Sequence, residues 1–198
     1  MIIGVTGNIA SGKSTVVGLL RDLAHAAVVD ADAIGHYLRE TNPEIQRGLV
    51  SEFGTDILDE NGRVSRKKLG DTVFSAVENL SRLNAIFFPF MIYEVKMEMT
   101  RAQRVVNHII LDAALILEWG MRSTVDALIV VTATHETRLR RLMENRRMFE
   151  EEAELRIASQ ADEKFKIENA DILIPNNGSL EKLSADVEKA AQTLGFIE

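Results

Sequence analysis

The stretch Ile2–Thr15, IIGVTGNIASGKST, constrains what this chain can fold into more than any other. A short apolar run passes into a glycine-bearing turn and then into helix-favouring residues, so it reads as strand, loop and helix in succession. Gly7, Gly12, Lys13 and Ser14 fill the fixed places of the G-x-x-x-x-G-K-[ST] pattern. The spacing has a physical basis. Glycines open backbone conformations closed to other residues, so successive N–H groups turn inward on a polyphosphate at the positive end of a helix. The main chain of Ala10, Ser11, Gly12, Lys13, Ser14 and Thr15 is the expected cradle, with Lys13 reaching the outer phosphates and the Ser14 hydroxyl on Mg²⁺. A tight turn with a chance lysine is the weaker reading, because the whole pattern stands in its proper context. ATP or GTP is the expected ligand.

Strand and helix signals alternate through the rest of the chain. An amphipathic helix from Lys13 to about Leu23 precedes a second strand at Ala26–Asp30, and Asp32 opens a short helix through Leu38. From Pro43 to about Arg104 the pattern is helical, broken at Gly54 and at Glu60-Asn61-Gly62, and reads as an inserted helical subdomain. Pro89 is expected to bend or split the helix spanning Leu80–Met99, and the apolar run Ala85–Met91 is expected to pack in a core. Further strands are expected at His108–Leu111, closed by Asp112, at Ala127–Val131 and at Asp171–Ile174. Helices are expected at His135–Arg146, from about Glu150 to Lys166, and at Leu180–Leu194. This order predicts an α/β fold with a five-stranded parallel sheet flanked by helices. Residues 1–42, 105–134 and 167–198 would form the nucleotide-binding core, 43–104 the helical substrate subdomain and 135–166 a lid.

With 198 residues the chain suits one domain, and a net charge of −7 disfavours a general nucleic-acid binder. It has no cysteine, which removes disulfides and thiolate metal sites. His25, His36, His108 and His135 lack metal-ligand spacing, so a metal bridged by phosphates is expected in place of a histidine-built site. The chain enters its first strand within two residues and has no apolar run of membrane-spanning length. The expectation is a cytoplasmic monomer or small homo-oligomer that acts on a small molecule, with no membrane or nucleic-acid partner.

Several residues suit phosphoryl transfer. Asp30 and Asp32 lie at the carboxyl end of a strand and, two apart in an extended segment, would point the same way; Asp32 is the candidate base, against a plain helix cap. Asp112 ends a strand as a magnesium-orienting carboxylate does, or serves as a turn residue. Glu118 either contacts substrate or faces solvent. Arg138, Arg140, Arg141, Arg146 and Arg147 crowd one helix and its end, a density that suits a lid closing guanidinium groups over phosphates. Glu150, Glu151, Glu152 and Glu154 suit the start of the next helix. Asn176-Asn177-Gly178 either meets an adenine edge or forms a plain turn.

Taken in order, these residues resemble the dephospho-coenzyme A kinase family along nearly the whole chain. The resemblance rests on the GVTGNIASGKST loop, Asp30-Ala31-Asp32 with Ile34, Phe53-Gly54, Gly62, Arg66, Leu69, Phe74, Leu83-Asn84, Pro89, the LDAALILE run ending at Glu118, Arg141, Arg156, Gln160, Ala170-Asp171 and Asn177-Gly178. It implies ATP and Mg²⁺ as cofactors, dephospho-CoA as substrate, Asp32 as the base, and Lys13 and Arg141 on the transferring phosphates. It further implies Arg66 and Glu118 on the substrate and Asn177 on the nucleotide. The chain departs from the family pattern at Phe88, Ala114 and Asn145, with Arg146 beside the last, and at Asn8 and Ala10 in the loop. Two other readings remain. One is a kinase of the same architecture with another alcohol acceptor. The other is a slow regulatory nucleotide switch, disfavoured because no N-K-x-D guanine signature occurs.

Overall fold

The structure, a computed structural model, describes residues 1–73, 76–160 and 163–197. Two compact units emerge: residues 1–30 with 98–198, and residues 31–97.

The first unit holds strands β1 (Ile2–Gly7), β2 (Ala27–Asp30), β3 (Ile109–Asp112), β4 (Ala127–Thr132) and β5 (Ile172–Pro175). They form one sheet in the order β2-β3-β1-β4-β5, and every pairing is parallel. β3 is buried along its length and β4 along all but its last residue, which is why both read as unbroken apolar runs and not as alternating ones. On one face, Ile3, Val5, Ile110, Ile129 and Ile174 pack with Val16, Val17 and Leu20 of helix α1 (Lys13–Ala24) and with a further helix, Leu180–Thr193, near the end of the chain. On the other face β1 presents Gly4, where a Cβ would meet Ile116 Cδ1 at 2.8 Å, so the segment after β3 packs directly on the strand. Because all five strands run parallel, their carboxyl ends share one edge, the place where open sheets of this kind bind ligands.

The second unit is helical: α2 (Ala31–Thr41), α3 (Pro43–Phe53), α4 (Arg66–Val73) and most of α5 (Val77–Ala102). Asn42 caps α3 by accepting from the N–H groups of Glu44 and Ile45, with Pro43 pre-set for the first turn. Gly35 of α2 lies under α5: a Cβ there would stand 3.2 Å from Met91 Sδ and 3.5 Å from Phe87. Among the described residues, no helix is long and apolar enough to cross a membrane.

Four expectations need correction. α5 runs through Pro89 without splitting. Loss of one amide donor and the ring clash cost about 3 kcal/mol, and the contacts of Ile86, Phe87 and Met91 with α3 and α2 hold the helix together. The run Ala85–Met91 is only half a core, since Met91 is 1% exposed whereas Ala85 and Pro89 are exposed. The helix expected over Glu150–Lys166 is two, α7 (Glu150–Ala158) and α8 (Glu163–Glu168), with residues 161 and 162 outside the described set. Asp30 and Asp32 do not share an extended segment, because helix begins at Ala31 and the two-residue repeat of a strand stops at Asp30. Phe74 lies outside the described residues.

Candidate active site

Between β1 and α1 the loop takes the backbone its sequence demands. Ala10 and Gly12 adopt left-handed conformations, with φ of 59° and 97°. Gly7 is required by close approach, since a Cβ would lie 2.5 Å from the Val131 carbonyl oxygen. Three of the loop's carbonyls, those of Ile9, Ala10 and Ser11, are held by side chains from outside it. Arg141, on helix α6 (His135–Arg146), donates from Nη1 to the carbonyls of Ala10 and Ser11, both at 3.1 Å. The Asn176 amide donates to the Ser11 carbonyl at 2.8 Å. Arg138 Nε donates to the Ile9 carbonyl at 3.1 Å, and the Ile9 N–H donates to Gln160 Oε1 at 2.6 Å. With the carbonyls held from outside, the amide side of the loop is presented at the first turn of α1.

Arg138 and Arg141 thus buttress the loop instead of standing in solvent, and burial lowers the pKa of each guanidinium; the Arg140 charge adds to the effect at Arg141, while Glu163 opposes it at Arg138. Ser11 Oγ and Asn8 Oδ1 are buried with no hydrogen-bond partner among the described residues, an arrangement that ordinary cores avoid and functional loops tolerate. Beside the loop opens a cleft of about 330 Å³, lined by Ala10, Gly12, Thr15, Arg141, Asn145, Arg146, Asn176 and Gly178 among others. Asn145 and Arg146 therefore both reach the surface where the chain departs from the family pattern.

At the carboxyl edge of the sheet Lys13 pairs with the Asp112 carboxylate, both side chains being largely buried. Asp112 stands in register with Val5 on one side and Asp30 on the other, so two carboxylates end adjacent strands next to the loop. Ser14 is exposed in the first turn of α1. The donor set of Ser14 and Asp112, hard oxygens with one strand-end carboxylate, fits Mg²⁺, which takes most of its ligands from phosphates and water. Among the described residues no cluster of three or more metal-binding side chains occurs.

The chain matches the dephospho-CoA kinase family model over residues 1–182. It belongs to that family. A dephospho-CoA kinase from Fusobacterium nucleatum is 39% identical over 194 residues, covering 98% of each chain. Among solved structures, TT1252 from Thermus thermophilus superposes with a TM-score of 0.79 at 34% identity, covering 98% of this chain and 95% of the other. A Campylobacter jejuni dephospho-CoA kinase gives 0.70 at 27% identity over 98% and 96%. The chain is accordingly an ATP-dependent kinase of the dephospho-CoA kinase family with a phosphate-loop fold.

The remaining family-pattern residues fall in distinct places. Asp32 is the second residue of α2, inside the first turn and not at a capping position. Arg66 opens α4 in the helical unit. Asn177 Oδ1 accepts from the Thr134 N–H at 2.8 Å and ties the turn after β5 to the start of α6. Its neighbour Asn176 lines the cleft, buried beside Arg141. Glu118 neither faces open solvent nor stands alone. It lies 3.6 Å from Lys166 Nζ, whose side chain is 3% exposed and which donates to the Ala114 carbonyl at 2.9 Å. That carbonyl also accepts from Thr6 Oγ1 at 2.9 Å, so β1, the segment after β3 and α8 meet at one oxygen. Sequence reasoning missed Lys166; within an exposed-looking charged helix nothing local marks a lysine that turns inward.

Proposed function

We propose that the protein transfers the γ-phosphoryl group of ATP to the 3′-hydroxyl of the dephospho-CoA ribose, giving CoA and ADP. The observation that carries this reading is the phosphate loop braced by Arg141 and Asn176, in a chain whose family match spans residues 1–182. Loop amides and Lys13 bind the β- and γ-phosphates. Because Lys13 is held by Asp112, its ammonium is positioned at the strand edge before it turns to phosphate oxygen. Asp32 accepts the proton of the 3′-hydroxyl as its oxygen bonds to the γ-phosphorus and the bond to the bridging oxygen of ADP breaks. Arg141, which lines the cleft beside the loop, stabilises the charge on the transferred group together with at most one further arginine of residues 135–166, the segment read as a lid. Ser14 and Asp112 are the residues that would hold Mg²⁺, and the ion would supply charge neutralisation on the phosphates.

The test is ADP release by the purified protein with dephospho-CoA, with other small alcohols or nucleotides, and with no acceptor. Release that requires dephospho-CoA supports the reading. Preference for another alcohol points to a kinase of a different acceptor, and release without any acceptor points to a hydrolysing switch.

A further inference from the structure

Within the helical unit a second cleft of about 320 Å³ is lined by His36, Arg39, Glu40, Asp59, Arg63 and Arg66. Its two carboxylates lie among these cations, the Arg63 charge acting on Asp59 and the Glu40 charge on Arg39, and each also binds another group. Asp59 Oδ1 accepts from the main-chain N–H groups of Asn61 and Arg63, both at 2.9 Å, and Glu40 pairs with His36 Nε2 at 3.2 Å. The cations are not matched in the same way: among the described residues neither Arg63 nor Arg66 forms a salt bridge. Arg39, partly buried, holds His36 Nδ1 at 2.6 Å, and burial together with the nearby Arg66 charge lowers its pKa while the Glu40 carboxylate opposes the shift. Three guanidinium groups against two carboxylates leave the cleft with a surplus of positive charge that a further anion would offset.

The backbone is built to present them. Asp59 N–H donates to the Arg63 carbonyl at 2.7 Å, and Leu58 bridges Val64, so Arg63 rides on a closed hairpin whose turn Asp59 pins from inside. Arg66 begins α4, immediately after that hairpin. On α2, Asp32, His36 and Arg39 are spaced i, i+4 and i+7 and so share one helix face. Arg39 therefore stands about 10 Å along the helix from Asp32 at 1.5 Å per residue.

We propose that this cleft is the anchor for the diphosphate arm of the acceptor, with Arg39, Arg63 and Arg66 closing on its oxygens. The inference rests on the functional reading above. In dephospho-CoA the 3′-oxygen and the first 5′-phosphorus are separated by five covalent bonds, a span of roughly 5 Å at ordinary bond lengths. A ribose held at Asp32 thus projects its diphosphate along α2 toward Arg39, within reach of an arginine side chain. Forked guanidinium groups suit such an anion better than lysines would.

The experiment is steady-state kinetics of the full chain with Arg39→Met, Arg63→Met and Arg63→Lys, and with Lys67→Met as an exposed charge control beside the cleft. The expected result is a KM for dephospho-CoA raised on the order of tenfold to a hundredfold in each methionine variant. The KM for ATP and kcat stay near wild type, which is the pattern of lost uniform binding. Arg63→Lys recovers part of the loss, and Lys67→Met shows none. If the KM for dephospho-CoA holds in both methionine variants, if both substrates' KM values rise alike, or if Lys67→Met does as much damage, the anchor is wrong and the functional reading stands. If the wild-type protein does not phosphorylate dephospho-CoA, that reading fails and takes the anchor with it.

Discussion

The guanidinium of Arg141 donates from Nη2 to both the main-chain carbonyl of Asn176, at 3.0 Å, and its side-chain Oδ1, at 3.2 Å. From Nη1 it also holds two loop carbonyls, so one side chain joins α6, the end of β5 and the phosphate loop. Arg141→Met removes that bracket and a cation together. Its KM for ATP is expected to rise on the order of tenfold to a hundredfold, with thermal protection by ATP reduced to match. A KM within about twofold of wild type would show that the loop holds its shape unaided.

Gly12→Ala tests the backbone. At φ of 97° a side chain costs about 1–2 kcal/mol, and here the added Cβ would fall on the Asn176 amide that secures Ser11. Denaturant unfolding is expected to show at least that loss, and ATP binding by calorimetry to weaken strongly.

Asp32→Asn keeps the shape of the side chain and removes its basicity. Turnover is expected to fall roughly 10²- to 10⁴-fold, the usual range for a lost general base, while the Kd for ATP stays close to wild type. Undiminished kcat would take Asp32 out of the mechanism.

Lys166 gives a stability prediction with a definite sign. Burial, with a smaller contribution from Lys13, lowers its pKa below 10.5 in the folded protein, and Glu118 only partly opposes this. Between that lowered value and 10.5 the unfolded chain binds more protons, so stability from this group is complete above 10.5 and is lost as pH falls through the folded value. The unfolding free energy of wild type minus that of Lys166→Met is therefore expected to climb as pH rises toward 10.5, by no more than about 1.4 kcal/mol per pH unit. A flat or falling difference would refute the assignment.

For the metal, chelation with EDTA is expected to abolish turnover and Mg²⁺ to restore it. Ser14→Ala and Asp112→Asn should each raise the Mg²⁺ concentration needed for half-maximal rate, read by titration at saturating ATP. An unchanged requirement in both variants would place the ion elsewhere.

Much of the nucleotide-binding unit was legible beforehand. The strands lie within a residue or two of their expected bounds, and α6 matches residue for residue, because buried parallel strands and a Thr134 cap leave local marks. Pro89 does not split α5, because proline's local cost is set against helix–helix contacts that no window of sequence contains. Asp32 was located but its setting was not: the chain turns helical one residue earlier than the strand pattern suggested. Asn177 and Asn176 are equivalent to any reading of turn chemistry, and only the position of Arg141 distinguishes them.

By itself the amino-acid sequence determined the phosphate loop, the parallel sheet and the family, since these depend on glycine freedom, apolar periodicity and residue spacing within short stretches. Tertiary structure alone decided which groups brace that loop and which charges face one another. The Asn176 bond to Ser11 spans 165 positions and the Lys166 bond to Ala114 spans 52. A hydrogen bond needs its two atoms about 3 Å apart, and over such separations folding of the whole sheet brings them there.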